Sequence, residues 1–206
     1  HAMVEAFLYV EGGGDHNKPL QTECRKGFRT LLERCSLGGR MPRIVPCGGR
    51  QAAYEDFCQR KRDPQSVAVL LVDSEAPVSA ASPWEHVSMR KGDKWQKPLH
   101  ATDDHLYLMV QCMEAWFLAD REAMRRFFDQ GFQESALPAP TAPIESVGKE
   151  DLYARLKKAT RDTKTKGAYG KGAHSFRLLA TLDPKLISAS CPGAMRFFVG
   201  IKKVFG

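Results

Sequence analysis

A glutamate, three glycines and an aspartate follow the first apolar stretch of this sequence. The stretch AFLYV covers residues 6–10, and the two acidic residues are Glu11 and Asp15. Glycine-rich turns after strands often bind phosphate groups, but two carboxylates would repel a phosphate unless a cation lay between them. The segment therefore predicts a phosphate site that contains a metal ion, with Glu11 as a metal ligand or as a base.

Acidic residues also follow two later apolar stretches. Asp73 and Glu75 follow SVAVLLV (66–72), and Glu114 follows HLYLMVQ (105–111). If these stretches are parallel strands, their carboxyl ends lie at one edge of a sheet, where open α/β proteins bind ligands. Crowded carboxylates are costly unless a cation neutralises them, and oxygen ligands without histidine or cysteine suit Mg²⁺ or Mn²⁺. The predicted metal ligands are Glu11, Asp15, Asp73, Glu75 and Glu114.

Each of these acidic residues has a simpler interpretation when it is taken alone. Asp15 could cap a helix, Asp73 could stabilise a turn, and Glu114 could lie in the first turn of a helix. The combination favours a site, because a glutamate with glycines after one strand and an Asp-x-Glu pair after another seldom coincide in a short domain.

Positive charge is concentrated between residues 157 and 177. The chain of 206 residues has a formal net charge of +7, which favours an anionic partner and above all nucleic acid. Lysines on flexible stems, glycines and an interleaved Tyr169 suit phosphate contacts and base stacking, although such a segment could also be a solvated loop. The predicted nucleic-acid-binding residues are Lys157, Lys158, Arg161, Lys164, Lys166, Lys171 and Arg177.

Lys171 is singled out among these residues because it lies in YGKGAHSF (169–176). A lysine there could stabilise the charge on a pentacovalent phosphorus. The predicted catalytic residues are therefore Glu11, Asp73 and Lys171. His174, in the same segment, could transfer a proton or simply cap a helix.

The alternation of apolar stretches with amphipathic segments predicts an α/β fold. We expect a Rossmann-like three-layer sandwich around a mostly parallel, four-stranded sheet. The predicted strands are 6–10, 42–47, 66–72 and 105–111, and the predicted helices before residue 130 are 18–35, 50–61 and 113–129. Residues 76–104 are predicted to be a long loop, whose Trp84 and Trp95 could form a lid or a partner surface.

The character of the sequence changes after residue 130. Residues 134–151 are rich in proline and alanine and resemble a linker, and helices are predicted at 149–161, 175–182 and 191–204. We therefore expect an α/β core over 4–130 and a basic, helical C-terminal extension over 131–206 that packs on it.

The composition indicates a cytoplasmic protein with no membrane contact. No apolar run is long enough to cross a bilayer, and the six cysteines show no C-x-x-C spacing. We expect these cysteines to be free thiols.

Two motifs carry a resemblance to a known fold. YVEGGGD (9–15) followed by VLLVDSE (69–75) resembles the TOPRIM fold of topoisomerases, primases and the overcoming-lysogenization-defect nucleases. Together with MEAWFLADREAM (113–124), they more closely resemble the TOPRIM-like family called domain of unknown function 4276. Members of that family are prokaryotic and are commonly encoded beside ATPase genes in defence loci. Two departures are Glu75, where the pattern has aspartate, and the three consecutive glycines.

The resemblance implies a Mg²⁺-dependent (or Mn²⁺-dependent) nuclease that works with an ATPase partner in anti-phage defence. The alternative is a catalytically inactive regulatory or docking subunit of an ATPase complex. A phosphatase of the Asp-x-Asp type is disfavoured because Glu11 stands where its nucleophilic aspartate would be. A dinucleotide-binding domain is disfavoured because the G-x-G-x-x-G spacing is missing.

Overall fold

The computed structural model describes residues 4–38 and 40–206, which form a four-stranded sheet between layers of helices. All strand pairs are parallel, and the strand order is β2-β1-β3-β4. The strands are β1 (Ala6–Val10), β2 (Arg43–Pro46), β3 (Val67–Asp73) and β4 (Leu106–Met109). The predicted α/β class and parallel sheet are confirmed, and each strand lies within two residues of its apolar stretch.

Eight α-helices follow one another in the described part of the chain. They are α1 (Lys18–Glu33), α2 (Arg50–Arg60), α3 (Pro83–Met89), α4 (Arg121–Phe128), α5 (Lys149–Thr160), α6 (Lys171–Leu179), α7 (Pro184–Ser190) and α8 (Pro192–Phe205). Short 3₁₀ helices lie at Asp103–His105, Met113–Ala119, Glu134–Ala136 and Ile144–Ser146.

The two faces of the sheet are covered by different helices, as a three-layer sandwich requires. Leu8 and Val10 of β1 face a large apolar core to which α1, α6 and α8 contribute, and Phe7 and Tyr9 face a second core shared with α2 and α3. Every residue of β3 from Ala68 to Asp73 is buried, since this central strand is covered on both sides.

The prediction of a long loop over residues 76–104 is wrong for residues 83–89, which form a helix. The segment contains α3, whose first residue is Pro83 and whose N-cap is Ser82. Trp84 and Trp95 are buried in the second core: Trp84 packs on Phe57, and the Trp95 ring stacks on Tyr54 with centroids 4.5 Å apart. Pro83 is compatible with this helix because proline is favoured in the first turn of a helix.

The single helix predicted over 113–129 is divided in two. A 3₁₀ helix ends at Ala119, and Asp120 then caps α4 by accepting a hydrogen bond from the Ala123 backbone N–H at 3.1 Å. The other carboxylate oxygen of Asp120 accepts a bond from the Asp183 N–H at 2.9 Å. This aspartate therefore ties the middle of the chain to α7, a helix that was not predicted from the sequence.

The C-terminal helices share the apolar core of the sheet. α6 packs on α1 so closely that a side chain at Gly27 would lie 2.6 Å from the carbonyl oxygen of Phe176. The division into a core over 4–130 and an extension over 131–206 stays a prediction. The six cysteines, all within the described residues, are free thiols. None of the helices in the described part of the chain has the length and apolar character that a membrane span requires.

Candidate metal centre

Glu11, Asp73 and Glu75 lie together at the carboxyl edge of the sheet. One carboxylate oxygen from each of them lies within 4.8 Å of the other two. β1 and β3 are neighbouring parallel strands, so Glu11 and Asp73 emerge side by side, and the Asp73 backbone N–H donates a hydrogen bond to Glu11 Oε2 at 3.0 Å. Glu75 has a φ of 63°, and its own backbone N–H donates to the carbonyl of Gln111 at 2.9 Å. A positive φ is uncommon outside glycine, and Glu75 is one of five such residues in the described part of the chain.

The glycine turn after Glu11 is fixed by its contacts with neighbouring segments. Gly12, with a φ of 130°, exchanges two backbone hydrogen bonds with Gly48, at 2.9 and 2.7 Å. A side chain at Gly12 would lie 2.9 Å from the Phe176 ring, and one at Gly48 would collide with a carboxylate oxygen of Asp15. Packing therefore accounts for these glycines, and their role in phosphate approach stays a prediction.

Arg50 supplies positive charge to the acidic cluster from the first turn of α2. Its guanidinium lies 3.4 Å from Glu11 Oε2 and also donates to the backbone carbonyl of Asp73. Asp93 holds the same guanidinium in a bidentate pair at 2.7 and 2.8 Å, and the guanidinium carbon lies 4.7 Å from the centre of the Trp95 ring. Arg50 is thus held rigidly beside Glu11 and Asp73.

Lys149, the first residue of α5, supplies a second positive charge. Its Nζ atom lies 2.5 Å from Glu75 Oε1 and 3.5 Å from Asp73 Oδ2. Neither cation was predicted from the sequence. Arg50 follows two glycines shortly after β2, so its place at the same sheet edge could have been inferred. Lys149 comes from a distant segment of the chain. The only feature of the sequence that points to it is the crowded acidic cluster, which requires a cation.

Burial makes the ionised form of this cluster costly. Burial raises the pKa of Asp73 to about 8, with further increases from Glu11 and Glu114, and Lys149 and Lys171 oppose the shift. Burial also raises the pKa of Glu11, against the effect of Arg50. Burial lowers the pKa of Lys149, but its hydrogen bond to Glu75 and the charge of Asp73 outweigh that effect, and its pKa is raised. The cluster therefore favours additional positive charge.

Glu114 is completely buried beside Asp73. Its Oε1 atom accepts a hydrogen bond from the Tyr169 hydroxyl at 3.1 Å, and its Oε2 atom has no hydrogen-bond partner among the described residues. Tyr169 is only 4% exposed, and burial, together with Glu114, raises its pKa. The expectation that Tyr169 stacks on a base is therefore wrong, because its ring lies inside the protein.

A cavity of about 290 Å³ connects the acidic cluster with Lys171. Lys171 stands at the start of α6, so the predicted catalytic lysine and the carboxylates of Glu11, Asp73 and Glu114 all line this space. The other lining residues are Gly12, Gly13, Gly14, Leu20, Gly48, Met113, Gly172 and Phe176. Asp15 is exposed on the outer side of the glycine turn and does not line the cavity, so the structure does not bring it to the other four carboxylates.

The seven predicted nucleic-acid-binding residues are all exposed on the segment from α5 to α6. Arg177 pairs with Glu23 at 2.8 Å, and Lys166 lies 5.0 Å from the centre of the Phe127 ring. Arg161 pairs with Asp162 at 3.3 Å, and Lys171 lies 5.9 Å from the centre of the Tyr153 ring. The other three predicted residues are Lys157, Lys158 and Lys164. Their exposure leaves them accessible to a polyanion.

The loop between α5 and α6 is held by buried hydrogen bonds rather than left free. The Tyr169 N–H donates to Thr160 Oγ1 at 2.7 Å, and His174 Nδ1 accepts from the Gly170 N–H at 3.0 Å. Burial lowers the pKa of His174. His174 therefore anchors this loop. The backbone that carries the basic side chains is held in place by these hydrogen bonds.

The fold and the site define an α/β protein with an acidic cluster at the carboxyl edge of a parallel sheet. The family model described as domain of unknown function 4276 (DUF4276) matches residues 10–202, and the chain belongs to that family. The matched range includes the acidic cluster of Glu11, Asp73 and Glu75, the neighbouring Glu114, Arg50, Lys149 and the basic segment. No curated protein and no solved structure matches the chain significantly.

Replacing Tyr169 by phenylalanine tests how the buried Glu114 is held. The change removes the observed hydrogen bond to Glu114 Oε1 and leaves a buried acceptor unpaired, so we expect the free energy of unfolding to fall by about 1–3 kcal/mol. Urea denaturation measures it. Tyr54→Phe is the control, because the Tyr54 hydroxyl donates to the Gln96 carbonyl at 2.8 Å close to solvent, and its loss should cost less. Equal effects of the two changes would contradict this role of Tyr169.

Proposed function

We propose that this protein is a metal-dependent nuclease that hydrolyses phosphodiester bonds of DNA or RNA. The observation that carries the proposal is the group of three carboxylate oxygens within 4.8 Å of one another, because two of the residues that provide them, Glu11 and Asp73, line one cavity with Lys171. Acidic residues that could hold a cation, together with a lysine on the same cavity, suit a phosphodiester substrate, because both positive charges would offset the charge of the phosphate.

The residues present fit Mg²⁺ or Mn²⁺. Glu11, Asp73 and Glu75 offer only oxygen ligands, which these ions prefer, and their separation is comparable to the roughly 4 Å between opposite ligands of an ion bound at about 2.1 Å. Glu114 lines the same cavity as Glu11 and Asp73, and its Oε2 atom has no hydrogen-bond partner within the described residues. When bound, such an ion would activate water and stabilise charge on the leaving oxygen.

The protein's own side chains supply the proton acceptor and the positive charges that the hydrolysis requires. Glu11, oriented by the Asp73 N–H and Arg50, is placed to accept a proton from the attacking water. Lys171 stabilises the charge that develops on the phosphate oxygens. Lys149 and Arg50 hold the carboxylates in place and lower their mutual repulsion.

The basic segment from Lys157 to Arg177 is proposed to hold the substrate. Replacing Lys157, Lys158 and Lys164 together by glutamine is expected to weaken binding of a single-stranded oligonucleotide and to reduce the slope of log K against log salt by about 2, because each phosphate contact contributes about 0.7. Fluorescence anisotropy in EDTA measures both quantities. The control, with the same change in charge, is Lys185→Gln, Lys202→Gln and Lys203→Gln. Equal salt slopes for the two triple variants would refute the assignment of substrate binding to the basic segment.

The structural class and the cellular role that we propose for this nuclease follow the family resemblance. We propose a TOPRIM-like nuclease that acts in anti-phage defence with an ATPase encoded nearby, in the cytoplasm. Membership of the DUF4276 family and the motifs around Glu11, Asp73 and Glu114 support this assignment.

A second candidate function is a catalytically inactive regulatory or docking subunit of an ATPase complex. The observation in its favour is that Lys149 and Arg50 already contact all three carboxylates of the cluster. Cations of the protein itself could then satisfy the site in place of a metal ion.

A cleavage assay separates the two candidates. We expect labelled DNA or RNA, single- or double-stranded, to be cut in Mg²⁺ or Mn²⁺ and left intact in EDTA, with the neighbouring ATPase added in a parallel series. Glu11→Gln should abolish the cutting. Cleavage by Glu11→Gln at the wild-type rate would contradict the nuclease proposal, and so would intact substrate in both series combined with no binding of Mn²⁺.

A further inference from the structure

A second cavity, of about 610 Å³, lies at the opposite edge of the sheet from the acidic cluster. Ala6 at the start of β1 and Ile44 of β2 contribute to its wall, so it opens at the amino ends of the strands. Four arginines line it: Arg25, Arg29, Arg40 and Arg43. The basic residues predicted from the sequence belong to another segment, and none of them reaches this cavity.

The arginines of this cavity carry more charge than their partners neutralise. Arg43 lies 3.7 Å from the exposed Glu5, and Arg29 pairs with the exposed Glu33 at 3.0 Å. Arg25 donates to the backbone carbonyl of Ile44 at 3.4 Å, and within residues 4–38 and 40–206 no ion pair is formed by Arg25 or Arg40. All four arginines are exposed. Planar guanidinium groups on a shared cavity match phosphate oxygens well.

Helix α1 connects the two cavities. Leu20 in its first turn lines the cavity of about 290 Å³ beside Glu11 and Asp73, which we call the acidic cavity. Arg25 and Arg29, further along the helix, line the cavity of about 610 Å³, which we call the arginine cavity. Lys18 and Lys26 are exposed on the same helix. From Lys18 to Arg29 the helix rises about 17 Å, which corresponds to about five nucleotides of one strand at about 3.4 Å each.

We propose that the arginine cavity binds the phosphate backbone of the nucleic acid strand whose scissile bond lies in the acidic cavity. The strand runs along α1, from Lys18 to Arg29, and its distal phosphates contact Arg25, Arg29, Arg40 and Arg43. This inference rests on the proposed nuclease function and extends it, because it gives the site a preference for strands longer than about five nucleotides.

The test compares a 4-nucleotide with a 20-nucleotide single-stranded oligonucleotide, measured by fluorescence anisotropy in EDTA. Two double variants are used, Arg25→Gln with Arg29→Gln, and Arg40→Gln with Arg43→Gln. Each is expected to weaken binding of the 20-mer about tenfold and to reduce its salt slope by about 1.4, while binding of the 4-mer stays unchanged. Lys91→Gln with Lys97→Gln is the control with matched charge, and circular dichroism verifies that each variant is folded.

Four outcomes would overturn the inference. Wild-type affinity for the 20-mer in both folded double variants would show that the strand does not reach the arginines, and the nuclease proposal would survive. An equal loss of affinity for the 4-mer and the 20-mer would show that the arginines do not contact phosphates distant from the acidic cavity. Binding of poly-glutamate that depends on the arginines, with oligonucleotide binding unaffected, would assign the cavity to an acidic protein segment. If the wild type binds neither oligonucleotide, the inference fails, and the cleavage assay then decides the nuclease proposal separately.

Discussion

Replacing Asp73 by asparagine is expected to abolish metal-dependent cleavage and leave the fold intact. The asparagine side chain would keep the oxygen that accepts the Met113 N–H, which is 2.8 Å from Asp73 Oδ1, so the local backbone retains its support. The change removes the most buried carboxylate of the acidic cluster. A metal ion supplies several kcal/mol of transition-state stabilisation, so we expect a loss of at least about a thousandfold in the cleavage rate.

Single-turnover cleavage of a labelled oligonucleotide measures this loss, and thermal unfolding in EDTA checks the fold. The variant should unfold at the wild-type temperature or above it: burial raises the pKa of the Asp73 carboxyl, so ionisation favours the unfolded state, and the neutral asparagine avoids that cost. Asp104→Asn is the control, since Asp104 forms an exposed pair with Lys203 at 2.9 Å and does not line the acidic cavity. A rate within tenfold of wild type for Asp73→Asn would remove Asp73 from the catalytic group.

Replacing Lys149 by methionine is expected to destabilise the metal-free protein and to increase its response to metal. Without the ammonium group, Glu75 and Asp73 lose their closest cation. Breaking a fully buried pair costs about 3–5 kcal/mol, and the Lys149 side chain is 22% exposed, so we expect a smaller loss, about 1–3 kcal/mol. Mn²⁺ should stabilise the variant more than the wild type, since the ion no longer competes with the lysine.

Urea denaturation with and without Mn²⁺ measures both effects. Lys158→Met is the control, because Lys158 is exposed on the same helix. A destabilised Lys149→Met protein that gains nothing from Mn²⁺ would favour the docking-subunit alternative. Unchanged stability in EDTA would mean that Lys149 does not compensate the acidic cluster.

The strands and the central acidic residues were predictable because their signals are local. A continuous apolar run such as residues 66–72 indicates a strand covered on both sides, and parallel strands end at one edge of their sheet. Glu11 and Asp73 follow directly from that topology. Glu75 could be included because it lies only two residues beyond β3 on the same turn.

The partners of these carboxylates were not predictable because they come from distant parts of the chain. Lys149 and Tyr169 reach the site from the C-terminal segment, and no spacing in the sequence links them to β3. Tyr169 was interpreted from its basic surroundings, whereas burial depends on tertiary packing. Asp15 was included because it is near in sequence, but the geometry of the glycine turn directs it outward.

Helix α3 was not predicted, for a different reason. Proline favours loops as well as first turns of helices, so Pro83 was ambiguous without its context. The N-cap Ser82 stood directly before it and was the signal that distinguishes the two cases. The buried Trp84 and Trp95 then explain why this segment packs on the sheet.

Calorimetric titration of Mn²⁺ into the wild type, Glu11→Gln and Asp73→Asn proteins tests the proposed metal centre most directly. We expect saturable binding to the wild type and loss of binding in both variants, with thermal unfolding in EDTA used to verify that the variants are folded. Such a result would establish the acidic cluster as a metal centre independently of any substrate or partner. Absence of binding to the wild type, or equal binding to all three proteins, would contradict the proposed metal centre.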